Sequence, residues 1–321
     1  MTCGRGVDWV GCPAQVGALA EGAGVVEAIG EDVHNLKVGD HVVLSWKRNC
    51  GLCEMCQEGY PNLCDEPADE RGRPQFQNTG NVMNKFNGLG TFATETIVPQ
   101  DVVIPIDKDI PLAQAALVGC GVMTGVGAAL NTANVQPGKS VAVFGCGGVG
   151  LNVIQGAAIA GAEPIIAVDI MDQKLERGKQ FGATHTVNSA QVDPVEAIKE
   201  LTNGQGVHYA FEAIGLVPEP FKQAILCTRK RGITVYVGHA PENTPVDFDA
   251  RILMPEKLVI GSMYGTCRPR VDFPRLLGLY KSGKLKLDEL VTRVYPLEGV
   301  NDAFVALGKG EVARSVLDLT L

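Results

Sequence analysis

VAVFGCGGVG, residues 141–150, followed by LNVIQGAAIAGAEPIIAVD up to Asp169, decides the fold. VAVF is a short apolar strand, and Gly145, Gly147 and Gly150 follow it in G-x-G-x-x-G register, with Gly148 and Val149 completing the turn. The first glycine permits the tight turn, the second lets a pyrophosphate reach the backbone, and the third lets helix pack on strand. The small-residue helix that follows offers unpaired N–H groups and a positive dipole end to the phosphates. PIIAVD then ends a second strand at Asp169, 19 residues beyond Gly150. An acid there is placed to bond both ribose hydroxyls of NAD. A 2′-phosphate would meet its charge, and Ile170 supplies no compensation, so NAD is favoured over NADP. The glycines alone fit turns of other α/β proteins; strands, helix and acid together make the motif specific. PGKS at 137–140 is not a phosphate loop, because its lysine precedes a strand.

Outward from this unit the alternation continues. MDQKLERGKQF reads as a helix stopped by Gly182, HTV as a strand, and DPVEAIKELTNG as a helix. That helix has Asp193 as cap, Pro194 in its first position and Glu196 as capping-box partner. VHYAF, PFKQAILC, ITVYVG and LVIG supply strand, helix, strand and strand, six strands in all between about 141 and 261. The pattern is α/β, a Rossmann doubly wound parallel sheet. Upstream, VVEAIG, DHVVLSW, ATETIV and DVVIPI are short strands punctuated by Gly and Pro, a β-rich lobe. The tail reads as helices around 273–281 and 300–307 and a final strand, SVLDL.

Cys50, Cys53, Cys56 and Cys64 in CGLCEMCQEGYPNLC are spaced by gaps of two, two and seven residues. Four thiolates in one loop can close around a tetrahedral Zn²⁺, leaving no open position for water or substrate, so the site is structural. An iron–sulfur run ends with a three-residue gap and a proline; here the last gap is seven and Asp65 follows.

A length of 321 residues implies about two domains. A net charge of −8 argues against nucleic acid or an anionic membrane as partner. The one dense basic run, Arg229–Lys230–Arg231, reads as a solvated turn before Gly232. No uninterrupted apolar stretch approaches the ~20 residues of a membrane span. Ten cysteines, four of them clustered, fit a reducing cytoplasm. Residues 1–20 lack the basic start and apolar block of a secretory signal.

EGAGVVEAIGEDVHNLKVGDHVV, the four-cysteine loop, GCGVMTGVGAAL, GCGGVG with Asp169 and VARSVLDL together resemble the zinc-dependent alcohol dehydrogenases of the medium-chain dehydrogenase/reductase family, from Glu21 to Leu321. The resemblance implies a GroES-like catalytic lobe, discontinuous over 1–121 and 264–321, and a Rossmann NAD-binding domain over 122–263. It implies hydride transfer between an alcohol or aldehyde and NAD, zinc as cofactor, and a homodimer or homotetramer. Carried over by position, Cys120 matches a ligand of a second, catalytic zinc, Glu21 the acid after a ligand histidine, and Thr124 a nicotinamide-side contact. Lys174 matches an adenosine-side contact, Ile214 and Val237 the apolar walls, and Arg314 the basic residue near the pyrophosphate.

One departure stands out: the ligand histidine of the family is Ala20 here, and a methyl group binds no metal. Only 19 residues precede it, and CGRGVD at 3–8 echoes the upstream ligand segment faintly. Residues 1–20 are then foreign to the fold, or the catalytic zinc is lost and a non-catalytic NAD-binding protein remains, or Cys3 or Cys12 joins Cys120 and Glu21. If strands of the lobe are missing, apolar edges are expected to be exposed. His239, after ITVYVG, is a further candidate to approach the nicotinamide, whereas Cys146, Cys227 and Cys267 read as spacer or buried thiols. Zinc-free quinone reductase chemistry is disfavoured by Asp169 and the cysteine loop.

Overall fold

Short runs of Val and Ile separated by Gly and Pro form antiparallel strands in the first third of the chain. The structure is a computed structural model and describes residues 9–12, 14–16, 21–65 and 89–321, the strands before residue 20 by their backbone only. The chain divides into two compact units, Met1–Gly121 with Arg268–Gly283 and Leu287–Leu321, and Val122–Cys267 with Lys284–Lys286.

In the first unit, β1 (Trp9–Cys12), β2 (Ala14–Val16), β3 (Ala23–Val25), β4 (Ala28–Ile29), β5 (His41–Leu44), β6 (Thr96–Pro99) and β7 (Val103–Ile106) make two sheets, ordered β4-β1-β6 and β2-β3-β5-β7. All their pairings are antiparallel. Val42, Leu44, Leu89, Val98 and Val103 meet in one apolar cluster, with Trp46 half-buried against it. Gly119 lets the following helix close on β5, since a Cβ there would lie 2.7 Å from the Leu44 carbonyl oxygen. Residues 9–12 and 14–16 are not foreign to this fold: β1 pairs with β6 from Trp9↔Pro99 to Cys12↔Thr96, and β2 pairs with β3. For these two strands that alternative does not hold, because a ladder is held by backbone groups and asks little of side-chain periodicity; the rest of 1–20 lies outside the described residues. Ile97, on the edge strand β6, is 55% exposed. Later segments of this unit are the helices Pro269–Lys281 and Val300–Gly308. Its last strands, Val291–Tyr295 and Arg314–Leu317, pair in parallel.

The second unit is a six-stranded sheet ordered β10-β9-β8-β11-β12-β13. Its strands are β8 (Val141–Phe144), β9 (Ile165–Asp169), β10 (His185–Asn188), β11 (Val207–Glu212), β12 (Thr228–Tyr236) and β13 (Leu258–Gly261). Every pairing is parallel, and the order reverses between β8 and β11, the crevice where such sheets bind ligands. β8 and β9 are buried along their whole length, as parallel strands covered on both faces must be. Tyr264–Cys267 belong here because Asn131 Nδ2 donates to the Gly265 carbonyl (3.3 Å) and Thr132 and Thr266 share a hydroxyl hydrogen bond (2.7 Å). Lys286 belongs here through its N–H on Gln155 Oε1 (2.7 Å).

Three local expectations change. The Asp193 carboxylate caps the helix Pro194–Leu201 by accepting from Val195 and Glu196 N–H groups, but the Glu196 carboxylate turns outward to Lys199 Nζ (2.8 Å) and closes no box. Arg229–Arg231 lies inside β12 as an outward excursion: Thr228 and Ile233 oppose Val207 and Tyr209, and Arg231 has φ +58°. The helical run Leu112–Thr132 is 21 residues long with a mean hydropathy of 1.5 over its most apolar window. That length and composition reach the membrane-span threshold, but 72% of the window is buried in protein. It is a core helix, interrupted by wide π-turns at Val118–Val122 and Ala128–Thr132.

Candidate dinucleotide site and metal centre

The turn after β8 shows why each glycine is there. Gly145 has φ +96°, and a Cβ on it would come within 2.5 Å of Ile214 Cγ1. A Cβ on Gly150 would sit 1.7 Å from the Gly145 oxygen, so bare backbone is required for the helix to start so close. Gly147 differs: a Cβ there would meet no protein atom within 4 Å. Protein packing does not demand glycine at that point; space for an approaching ligand does. The helix Gly148–Ile159 has no side-chain cap at its start, so its first N–H groups face outward, the arrangement that takes phosphate.

Asp169 ends β9 and is 7% exposed. Its Oδ2 accepts from the Cys146 N–H (2.9 Å) and its Oδ1 from the Met171 N–H (3.1 Å). The glycine turn and the acid are thus one hydrogen-bonded assembly. The link is made by the Cys146 backbone N–H, independently of its side chain. Burial, and then the Asp169 charge, push its thiol up to about 12, so it stays a neutral packing group. Lys174 is half-buried on the helix Asp172–Gln180. Ile214 is 37% exposed just beyond β11, and Val237 is half-buried just beyond β12. Thr124 lies half-buried in the helix Met123–Gly127. His239 is exposed and lines an open cavity of ≈ 690 Å³ with Val217, Phe221, Tyr236 and Pro241.

The four cysteines converge as their spacing requires. The sulfurs of Cys50, Cys53, Cys56 and Cys64 all lie within 4.8 Å of one another, with Cys50–Cys64 at 3.6 Å and Cys53–Cys64 at 3.8 Å. Zinc–sulfur bonds of about 2.3 Å in a tetrahedron place sulfurs about 3.8 Å apart, far longer than a disulfide. Backbone N–H groups of Leu52 and Cys53 point at Cys50 Sγ, and that of Cys50 at Cys64 Sγ, which favours thiolates. Hydrogen bonds to the backbone at Asp65 and Cys56 bring the Cys53 thiol down to about 7. Burial, with its sulfur neighbours, lifts Cys56 to about 12. Full ionisation of the set therefore calls for a cation, and this donor set fits zinc.

The second metal centre implied by the resemblance is not assembled by the described residues. Among them, the four-cysteine cluster is the only close group of three or more His, Cys, Asp or Glu donors. Cys120 is half-buried in the π-turn, and Glu21 is 4% exposed. Glu21 Oε1 accepts from the Gly121 N–H (2.8 Å) and faces Arg314 Nη2 at 3.9 Å. The acid is thus neutralised by a guanidinium, and Arg314 is placed against Glu21 within the first unit. A Cβ on Gly121 would lie 2.0 Å from Arg314 Nη2, so glycine makes room for the pair. Cys3 and Ala20 lie outside the described residues, and Cys12 is described only as backbone of β1.

Glu212 gave no signal in the sequence beyond being a lone acid ending an apolar strand. It is fully buried at the end of β11, and its carboxylate accepts from the N–H groups of Ile214 (2.7 Å) and Gly215 (2.8 Å).

A doubly wound dinucleotide domain joined in sequence to an antiparallel lobe with a four-thiolate loop defines a zinc-containing nicotinamide-dependent dehydrogenase. Residues 5–108 match the family model described as alcohol dehydrogenase GroES-like domain, and residues 148–282 match that described as zinc-binding dehydrogenase. The NDMA-dependent alcohol dehydrogenase of Amycolatopsis methanolica is 40% identical over 306 residues, 92% of this chain and 82% of that one. The S-(hydroxymethyl)glutathione dehydrogenase of Saccharomyces cerevisiae is 38% identical over 310 residues, 92% and 80% of the two chains. The crystal structure of benzyl alcohol dehydrogenase from Acinetobacter calcoaceticus superposes with a TM-score of 0.89 at 34% identity, covering 99% of this chain and 93% of that one. The chain belongs to the zinc-dependent alcohol dehydrogenase family. It is an oxidoreductase of the hydride-transferring, NAD-dependent kind, acting on an alcohol/aldehyde pair.

Proposed function

We propose that Gly145, Gly147, Gly148, Val149 and Gly150 receive the pyrophosphate of NAD, that Asp169 holds the adenosine ribose, and that Lys174 lies on the adenosine side. Ile214, Val237 and Thr124 then serve the nicotinamide, whose ring accepts hydride from the alcohol carbon. The observation carrying this reading is the open space over Gly147 beside an uncapped helix start, tied by Cys146 N–H to Asp169. A buried carboxylate at the ribose position makes NAD the cofactor and repels a 2′-phosphate.

Zinc in the Cys50–Cys64 loop clamps the first unit and takes no part in chemistry, since four sulfurs leave no open position. Substrates are alcohols of the range that the named relatives handle, aryl alcohols and thiol-adduct alcohols included. β13 is an edge strand with Leu258, Val259 and the nearby Met263 exposed by 53%, 37% and 52%. An unpaired apolar edge of this kind supports a homodimer formed strand to strand. None of the eight described cysteines is joined in a disulfide, which supports the cytoplasm as its location.

The test is calorimetric titration of the purified protein with NAD⁺ and NADP⁺, followed by alcohol-dependent NADH absorbance across aryl, primary and thiol-adduct alcohols. Binding of NAD⁺ over NADP⁺ by at least about tenfold is expected, with reduction driven by one alcohol class. Equal binding of both cofactors would overturn the assignment of Asp169.

A further inference from the structure

Four backbone N–H groups converge on Glu212. Its carboxylate Oε1 accepts from Ile214 (2.7 Å) and Gly215 (2.8 Å), and its main-chain oxygen accepts from Val237 and Gly238 (both 2.9 Å). The first pair belongs to the loop leaving β11 and the second to the loop leaving β12. These two loops touch backbone to backbone. A Cβ on Gly215 would lie 2.1 Å from the His239 nitrogen, and one on Gly238 would lie 2.4 Å from the Gly215 nitrogen and 2.5 Å from Glu212 Oε2. Gly215 also has φ +76°, a conformation that glycine alone holds without strain.

The consequence reaches the glycine turn. Ile214 follows the clamp by two residues, and its Cγ1 is in contact range of Gly145. In a sheet of this order, β8 and β9 serve one mononucleotide half and β11 and β12 the other. The Glu212 carboxylate therefore holds the loop after β11 through Ile214 and Gly215, and bears on the loop after β12 through the close packing of Gly215 on His239 and of its own Oε2 on Gly238. A buried carboxylate is costly unless its lone pairs are bonded; here Oε1 is bonded and Oε2 has no hydrogen-bond partner, and burial pushes the acid of Glu212 upward against the N–H groups that favour its charge. Such a group is expensive as mere filling for a strand end.

We propose that Glu212 is a positioning residue for the nicotinamide half of the cofactor, setting Ile214 and Val237 as the walls of that ring. This rests on the assignment of the dinucleotide site made above. Glu212 touches no reacting atom; it acts through the two loops.

The test compares NAD⁺ with ADP-ribose, which keeps the adenosine and pyrophosphate and lacks the nicotinamide. Kd values for both are measured by calorimetry on the wild type, Glu212→Ala and Glu212→Gln. Loss of buried acceptors in Glu212→Ala is expected to weaken NAD⁺ by about tenfold or more and to leave ADP-ribose within about twofold. Glu212→Gln keeps one acceptor oxygen and is expected to recover most of the NAD⁺ affinity. Equal weakening of both ligands would mean that Glu212 only supports the fold and would overturn the proposal, as would unchanged NAD⁺ binding in both variants. If Glu212→Ala does not fold, Glu212→Gln against Glu212→Met decides: methionine is of similar length but offers no oxygen to the Ile214 and Gly215 N–H groups, so NAD⁺ alone should weaken in Glu212→Met. Wild-type protein that binds neither ligand would instead sink the assignment of the dinucleotide site itself.

Discussion

The carboxylate of Asp169 accepts a hydrogen bond from the backbone N–H of Cys146 at 2.9 Å, joining the end of β9 to the glycine turn after β8. That bond fixes where the acid stands relative to the phosphate-binding backbone before any cofactor arrives. Replacing Asp169 by Asn removes the charge and leaves one acceptor oxygen for two N–H groups. NAD⁺ affinity is expected to fall about 10–100-fold, a charged hydrogen bond being worth about 1.5–3 kcal/mol. Preference over NADP⁺ is expected to narrow in the same calorimetric series.

Gly147 and Gly150 separate packing from ligand room. Gly150→Ala would drive a Cβ to 1.7 Å from the Gly145 oxygen; it should cost about 1–3 kcal/mol of stability and lower the thermal midpoint accordingly. Gly147→Ala meets no protein atom and has an extended backbone, φ −77° and ψ −174°. It should melt like wild type and lose NAD⁺ affinity. Thermal melts with and without NAD⁺ check both; a destabilised Gly147→Ala would show that packing, not ligand approach, holds the position.

Zinc removal should act on the first unit. Cys64 is 2% exposed and its sulfur contacts those of Cys50 and Cys53. Cys64→Ser is expected to release the metal and cost about 2 kcal/mol, roughly 4–8 °C. Elemental analysis should return about one zinc per chain, the capacity of one tetrahedral thiolate site. About two would show that residues outside the described ones complete a second centre with Cys120.

His208 predicts a pH dependence. Its Nε2 lies 2.6 Å from Arg229 Nη1, and its Nδ1 meets both the Ser140 N–H (3.2 Å) and the Ser140 hydroxyl (2.8 Å). Burial, then Arg229 and Lys139, hold its pKa below the ordinary 6.5. The folded chain thus binds fewer protons than the unfolded one between the lowered value and 6.5. Its contribution is fully present above 6.5 and is lost as pH falls through the folded pKa. His208→Gln should flatten the melting profile between about pH 7 and 5; an unchanged slope would assign the acid sensitivity to other groups.

Charge on the β13 edge should control assembly. Val259→Asp, at a position 37% exposed, is expected to turn a dimer into a monomer in light scattering coupled to gel filtration, since inward charge blocks edge pairing. Oligomer size unaffected by the substitution would move the interface elsewhere.

Much of this protein was legible as sequence because its main motifs are local. Gly145, Gly147, Gly150 and Asp169 are read within one strand–helix–strand unit, and the Cys50–Cys64 gaps fit within a single loop. In such segments covalent spacing alone limits which atoms can meet. The strands at 9–12 and 14–16 and the place of Arg229–Arg231 inside β12 were not legible for the opposite reason: strand pairing comes from a distant backbone ladder that leaves little trace in side-chain pattern.

The sequence by itself determined the doubly wound sheet, the preference for NAD and the metal loop, all consequences of spacing along the chain. Tertiary structure alone decided three other things: that Glu21 is engaged by Gly121 N–H and Arg314, that Cys146 carries the bond to Asp169, and that Glu212 gathers two loops. Each joins residues at least 20 positions apart or depends on where a backbone N–H points. Those relations exist only after the core has packed and water has left the carboxylates with protein N–H groups as their remaining partners.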